Sequence, residues 1–290
     1  MLTHSRISAP RGREAARATG APADGGPRLD GSAAPRLRLT AVLALAALVA
    51  LAGTPLSAQS TTPVAASKPT PRPTTSQDEQ LRTDWPNLQR YRAANAALPA
   101  PAPGENRVVF MGNSITEGWA PLFDSLFPGK PYIGRGISGQ TTPQMLVRFR
   151  QDVIDLHPRV VVILAGTNDI AGNTGPSTLE MIEDNLASMT QLAQANGIRV
   201  VLASVLPASD YRWRPGLHPG PKIVTLNRWI RDYAAAHHAV YLDFHTAMAD
   251  SALGLPTTLS ADGVHPNRAG YRVMAPLTER AIGEALSMPE

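Results

Sequence analysis

Four short polar segments carry residue types that can do chemistry at a carbonyl carbon: GNSIT at residues 112–116, GISGQT at 136–141, GTND at 166–169 and DGVH at 262–265. Ser114 offers a hydroxyl, Asp262 and His265 form an Asp-x-x-His pair, and Asn168 offers a side-chain amide. A serine hydroxyl is nearly inert at neutral pH. It becomes a nucleophile when an imidazole takes its proton and a carboxylate orients that imidazole. Backbone and amide N–H donors can then hold the charge that develops on the carbonyl oxygen. Taken singly, each segment is ambiguous, because Ser, Asn and Asp cap helices and Gly serves turns. Taken together they describe acyl transfer.

Such groups act only if the fold brings them together. From Arg107 onward, short β-branched runs alternate with longer amphipathic ones, the pattern of βαβ units and a parallel sheet. The pattern predicts strands at 107–111, 131–134, 159–165, 198–205 and 239–244, with helices at 116–127, 142–156, 177–196, 221–237 and 268–286. In the third of these helices Leu179, Ile182, Leu186, Met189, Leu192 and Ala193 recur at three- and four-residue spacing and form one apolar face. The expected fold is one three-layer α/β/α domain over 84–290 with a flavodoxin-like, five-stranded parallel sheet. Ligands of such sheets bind at the carboxyl ends of the strands, where loops and helix N-termini expose backbone donors. Three of the four segments follow predicted strands, and DGVH comes near the end.

Residues 39–52, LTAVLALAALVALA, form an apolar run preceded by Arg36 and Arg38 and followed by small residues. This is a signal-peptide pattern, so 1–58 is expected to be a leader and the enzyme exported to the periplasm or beyond, with an N-terminal membrane anchor as the alternative. The run is shorter than the roughly 20 residues that span a bilayer, so no stable span is expected in the mature form. Residues 59–83, rich in Pro, Thr and Ser at first, read as a linker. Around 85–98, Trp85, Leu88, Tyr91 and Leu98 suggest a helix leaning on the domain, its aromatics used for packing. The leader holds seven arginines against three acidic residues, the whole formal excess of +4, and the remainder is neutral. No nucleic-acid partner is implied. With no cysteine, disulfides and thiolate metal sites are excluded.

Over roughly residues 105–285 the sequence resembles the SGNH (GDSL-like) hydrolases, whose four blocks occur here in order. The resemblance makes Ser114 the nucleophile, with Asn113 standing where the family often has Asp, and completes the triad with Asp262 and His265. It makes the Ser114 and Gly139 N–H groups and the Asn168 amide the oxyanion donors. It implies a serine esterase that uses no cofactor or metal and acts on a small-molecule or carbohydrate ester, with short acyl groups, acetyl foremost. An SGNH-type O-acetyltransferase and a catalytically silent binding or scaffold module are the alternatives.

Other readings are weaker. Gly134, Gly136 and Gly139 spell G-x-G-x-x-G, yet the motif follows the second strand, and the strand after its helix ends in AGTND with no clean acidic residue about 20 positions on. GNSIT has Thr116 where a nucleophile elbow needs glycine. Asp169 is expected to cap the next loop, and His245 to be structural. Arg135 is a candidate for the pocket rim, against the ordinary expectation of a surface salt bridge. The long loop 207–221 is expected to expose Tyr211, Trp213 and Arg214 near the catalytic edge and shape access.

Overall fold

The computed structural model describes residues 76–289. The expected leader and residues 59–75 of the expected linker lie outside the described residues. The last part of that linker is helical instead: α1 spans Ser76–Thr83. Its sequence SQDEQLRT contains no Pro or Gly and includes the straight-chain helix formers Gln, Glu, Leu and Arg. The helix expected around 85–98 is shortened to α2, Arg92–Ala97. Before it, Pro86 and Asn87, the latter at φ 55°, turn the chain.

Five strands follow, β1 (Val108–Gly112), β2 (Tyr132–Gly136), β3 (Val160–Leu164), β4 (Arg199–Ala203) and β5 (Val240–Leu242). All neighbours are parallel, in the order β2-β1-β3-β4-β5. This is the expected flavodoxin-like sheet. The central strands β1 and β3 are buried along their whole length, which is why they read as unbroken apolar runs. Alternate residues serve opposite faces. Val109, Met111, Val161 and Ile163 join one core, while Val108, Phe110, Val162 and Leu164 join the other.

The helices α3 (Ser114–Trp119), α4 (Phe123–Leu126), α5 (Thr142–Asp152), α6 (Thr167–Ile170), α7 (Leu179–Ala195), α8 (Gly220–Ala236), α9 (His245–Met248) and α10 (Arg268–Ser287) complete the domain. Apolar residues of α5, α7 and α8 cover the first face, and those of α3, α4 and α10 the second. The helix expected over 116–127 is broken by a 3₁₀ turn at Ala120–Leu122, because Pro121 lacks the N–H that a continuous helix needs. The helix expected over 142–156 ends at Asp152, and a 3₁₀ turn leads to His157 in left-handed conformation. Among the described residues no helix is long and apolar enough to cross a membrane.

Strand register decides where the polar segments lie. Gly112 of β1 pairs with Gly136 of β2 and Leu164 of β3, so these three strands end level. The segments after them therefore emerge side by side. The level ending needs close packing of α3 on β2: a Cβ at Gly136 would lie 2.2 Å from the Glu117 nitrogen and 2.6 Å from the Asn113 oxygen, both backbone. Gly136→Ala is accordingly expected to cost about 1–3 kcal/mol through overpacking. Chemical denaturation would measure it; an unchanged midpoint would contradict the packing argument.

Candidate active site

Ser114 is the first residue of α3, directly after the β1 turn, and the Asn113 side chain caps that helix by accepting from the Ile115 N–H at 3.1 Å. As the opening residue of a helix, Ser114 presents a backbone N–H that no preceding turn can accept. Its Oγ lies 2.8 Å from His265 Nε2. On the other side of the ring, His265 Nδ1 lies 2.6 Å from Asp262 Oδ2. An ionised carboxylate can only accept, so Nδ1 carries the proton and Nε2 is left to accept from the Ser114 hydroxyl.

Asp262 is a rigid acceptor. Its Oδ1 takes the Val264 N–H at 2.9 Å, the His265 N–H at 2.8 Å and the Ser260 hydroxyl at 3.0 Å. The three-residue spacing of DGVH thus folds into a turn in which the aspartate binds both the backbone and the ring of its histidine. Partial burial pushes the Asp262 pKa upward, but the hydrogen bonds from His265 and Val264 outweigh it and hold the carboxyl well below the usual range. The hydroxyl of Tyr271 in α10 donates to the Ile115 carbonyl at 2.8 Å and joins the element after the Asp-x-x-His turn to α3.

Gly139 sits at φ +78°, a backbone region that glycine enters without strain. Asn168 opens toward the same loop. One of its amide hydrogens goes to the Gln140 carbonyl at 2.9 Å, and its Oδ1 accepts from Asn173 Nδ2 at 3.0 Å. Asn173 also donates to the Gly139 carbonyl at 3.2 Å. The GISGQT and GTND segments are therefore laced together through side chains.

Asp169 is a cap, though of α5 and not of the loop that follows it. Its carboxylate accepts from the Thr142 N–H at 2.9 and 3.1 Å and from the Thr142 hydroxyl at 2.6 Å. Burial raises its pKa, against the pull of these bonds. His245 begins α9, its N–H bound to the Ser204 hydroxyl at 2.9 Å and its ring pKa lowered by burial.

Two further expectations need adjustment. Arg135 is 6% exposed and turns away from the rim; it donates to Asn95 at 2.8 Å and lies over the Tyr91 ring at 4.8 Å, with no surface ion pair. Tyr211 is fully buried, its hydroxyl 2.9 Å from that of Thr167, because its ring makes the floor on which Trp213 stacks at 4.9 Å. Trp213 remains 40% exposed, 6.4 Å from the His265 ring, and its indole N–H donates to Asn173 at 3.0 Å. Sequence reasoning missed Gln140, Asn173 and Arg148. Gln140 lies inside a quoted motif and Asn173 in the turn-forming GNTG, but neither carries a periodic or charge signal.

The sheet and the arrangement at its carboxyl edge define a carboxylic ester hydrolase of the α/β class. The chain belongs to the GDSL-like lipase/acylhydrolase family, whose model matches residues 110–273. It is 46% identical to a GDSL-like lipase of known structure from Bacteroides thetaiotaomicron, with a TM-score of 0.67 over 70% of this chain and 100% of that one. It is 28% identical to Esterase TesA of Pseudomonas aeruginosa over 56% of this chain and 77% of that protein. It is 26% identical to an acetylxylan esterase of Xylanibacter ruminicola over 64% of this chain, but spans only 45% of that relative.

The depressed pKa of Asp262 has a consequence for stability. A carboxyl whose folded value lies below its unfolded value of about 3.9 stabilises above that pH and loses its contribution as pH falls through the folded value. The stability difference between wild type and Asp262→Asn should be largest near pH 5 and close as acid is added. Thermal melts between pH 5 and pH 2.5 (about one unit above and below the unfolded value) would test this; a difference that stays constant over the range would refute it.

Proposed function

We propose that this esterase hydrolyses short-chain acyl esters, acetyl foremost, carried on a carbohydrate or a similar alcohol, through an acyl-enzyme on Ser114. The observation that carries the reading is the unbroken hydrogen-bonded chain Asp262–His265–Ser114 at 2.6 and 2.8 Å. His265 Nε2 takes the hydroxyl proton as Oγ attacks the carbonyl carbon. The tetrahedral intermediate collapses when the same imidazolium returns the proton to the departing alcohol oxygen, which leaves Ser114 acylated. Water then attacks the acyl carbon, again with His265 as base, and releases the acid.

The Ser114 N–H, the Gly139 N–H and the second Asn168 amide hydrogen are assigned to the oxyanion of both intermediates. Their merit is preorganisation: Asn168 is 3% exposed and held by Gln140 and Asn173, so little reorientation accompanies charge development. Family membership and the likeness to a relative named for acetylxylan support a short acyl group on a sugar. The apolar run at 39–52, with its arginine flank, supports export of the enzyme after removal of a leader spanning 1–58.

Hydrolysis of p-nitrophenyl esters from acetate to decanoate should be fastest for acetate and fall steeply beyond short chains. Ser114→Ala should lose at least about a thousandfold in kcat, and Asn168→Ala about a hundredfold to a thousandfold with a smaller change in KM. Preference for decanoate would refute the short-acyl assignment. Full activity in Ser114→Ala would remove the nucleophile.

A further inference from the structure

A cavity of about 330 Å³ lies against the oxyanion loop, between that loop, the turn after α6 and the segment that precedes the sheet. Ser138, Gly139 and Gln140 form one side, and Trp213 and Asn173 another. The third side consists of Gln80, Leu81, Trp85 and Asn87, residues from the stretch expected to be linker or packing helix. Larger cavities of about 410 and 640 Å³ open at the opposite end of the sheet, by Tyr132 and Arg199 at the strand starts, far from the triad. The smaller cavity borders Gly139.

The third wall is fastened to the loops it faces. Gln144 Nε2 donates to the Trp85 carbonyl at 2.8 Å, Gln140 Nε2 to the Pro86 carbonyl at 2.7 Å and Gln151 Nε2 to the Leu88 carbonyl at 2.8 Å. Asp84 accepts the Leu88 and Gln89 N–H groups at 2.8 and 3.0 Å and closes the turn. The backbone of 84–89 is thereby held, while the Trp85 indole remains 37% exposed. Two indoles with solvent-facing surface, Trp85 and Trp213, border one cavity beside Gly139.

The lining also limits what can bind. Amide and hydroxyl side chains from Gln80, Asn87, Ser138, Asn173 and Thr174 outnumber aliphatic ones, and Arg214 is the single charged residue in it. A long acyl chain needs a predominantly apolar tunnel, which this is not. An anionic leaving group would find one cation, and that guanidinium is already engaged with the Gly172 carbonyl at 3.2 Å. Aromatic faces for apolar C–H surfaces, combined with neutral groups that both donate and accept, suit an uncharged polyhydroxylated ring.

We propose that residues 80–87 and Trp213 form a leaving-group subsite for a neutral sugar ring, with Trp85 and Trp213 as its two aromatic borders. The proposal rests on the esterase reading above and adds the part of the chain that recognises the alcohol. Gln140 links the two functions, because its side chain holds Pro86 and its carbonyl holds Asn168.

The test is steady-state hydrolysis by the protein of a mono-O-acetylated methyl glucoside, which keeps its other hydroxyls free, and of ethyl acetate, which presents no ring. In Trp85→Ala the ratio of kcat/KM for the sugar ester to that for ethyl acetate should fall about tenfold, mainly through KM, as expected for the loss of one aromatic contact. Trp85→Phe should restore most of the ratio, and Trp213→Ala should lower it as Trp85→Ala does. An unchanged ratio in both alanine variants, whether the two rates fall together or stay level, overturns the subsite while leaving the esterase intact. Failure of wild type on both esters would instead sink the esterase reading, and the subsite with it. Should Trp85→Ala fail to fold, Trp85→Phe against Trp85→Leu on the same two esters decides the point: equal ratios overturn the subsite, and a ratio several-fold lower in Leu supports it.

Discussion

Arg148 is a guanidinium with no exposed surface, and the catalytic edge is assembled around it. It is paired with Asp152 at 3.0 Å one helical turn away, itself fully buried. Two further donors reach the Gly112 carbonyl at 2.9 Å and Gln140 Oε1 at 2.6 Å. Gly112 ends the strand that presents Ser114, and Gln140 follows Gly139, the glycine proposed for the oxyanion. Burial lowers the pKa of this arginine and Asp152 opposes that shift, so the guanidinium stays charged. A buried charge of this kind is tolerated only when each donor has a partner; removing one member of such a pair typically costs about 3–5 kcal/mol.

The cost explains the tightness of what surrounds it. The second oxygen of Asp152 accepts from Asn95 Nδ2 at 2.7 Å, and Asn95 Oδ1 in turn accepts from Arg135. The N-terminal segment is thus part of the same network that positions the loop after β2. Arg135, unlike a rim residue, works inside this network, stacked on Tyr91. The Tyr91 hydroxyl donates to the Gly136 carbonyl at the end of β2. Through these bonds a stretch that precedes the sheet in sequence is held against the end of β2 and α5.

Trp213 shows the same economy on the other side. Its ring is supported by Tyr211, which is anchored on Thr167, and its N–H reaches Asn173, which also orients Asn168. An exposed aromatic held at both its face and its edge keeps one orientation, so it can meet a ligand with little loss of rotamer entropy. Trp213, Asn173, Asn168 and Gly139 are therefore parts of one hydrogen-bonded layer.

Strand and helix pattern, the placement of Ser114, Gly139 and Asn168 after successive strands, and the Asp262–His265 spacing were all readable in the sequence alone. These are local properties: side-chain periodicity follows backbone geometry, and a three-residue Asp–His spacing closes a turn by itself. The break at Pro121 follows from its missing N–H, but the break after Asp152, the burial of Tyr211 and the inward turn of Arg135 were not readable. Neither were the bonds from Gln140, Gln144 and Gln151 to the backbone of 85–88, in a stretch expected to be linker up to 83 and packing helix from 85. Each depends on partners far away in the chain: Gln144 lies 59 residues from Trp85 and Asp152 57 from Asn95. Local pattern determines which groups can do chemistry and on which edge they emerge. Which side chains are satisfied, and hence which face the substrate, is decided by long-range packing and hydrogen bonding, because a buried polar group must find a partner wherever the fold supplies one.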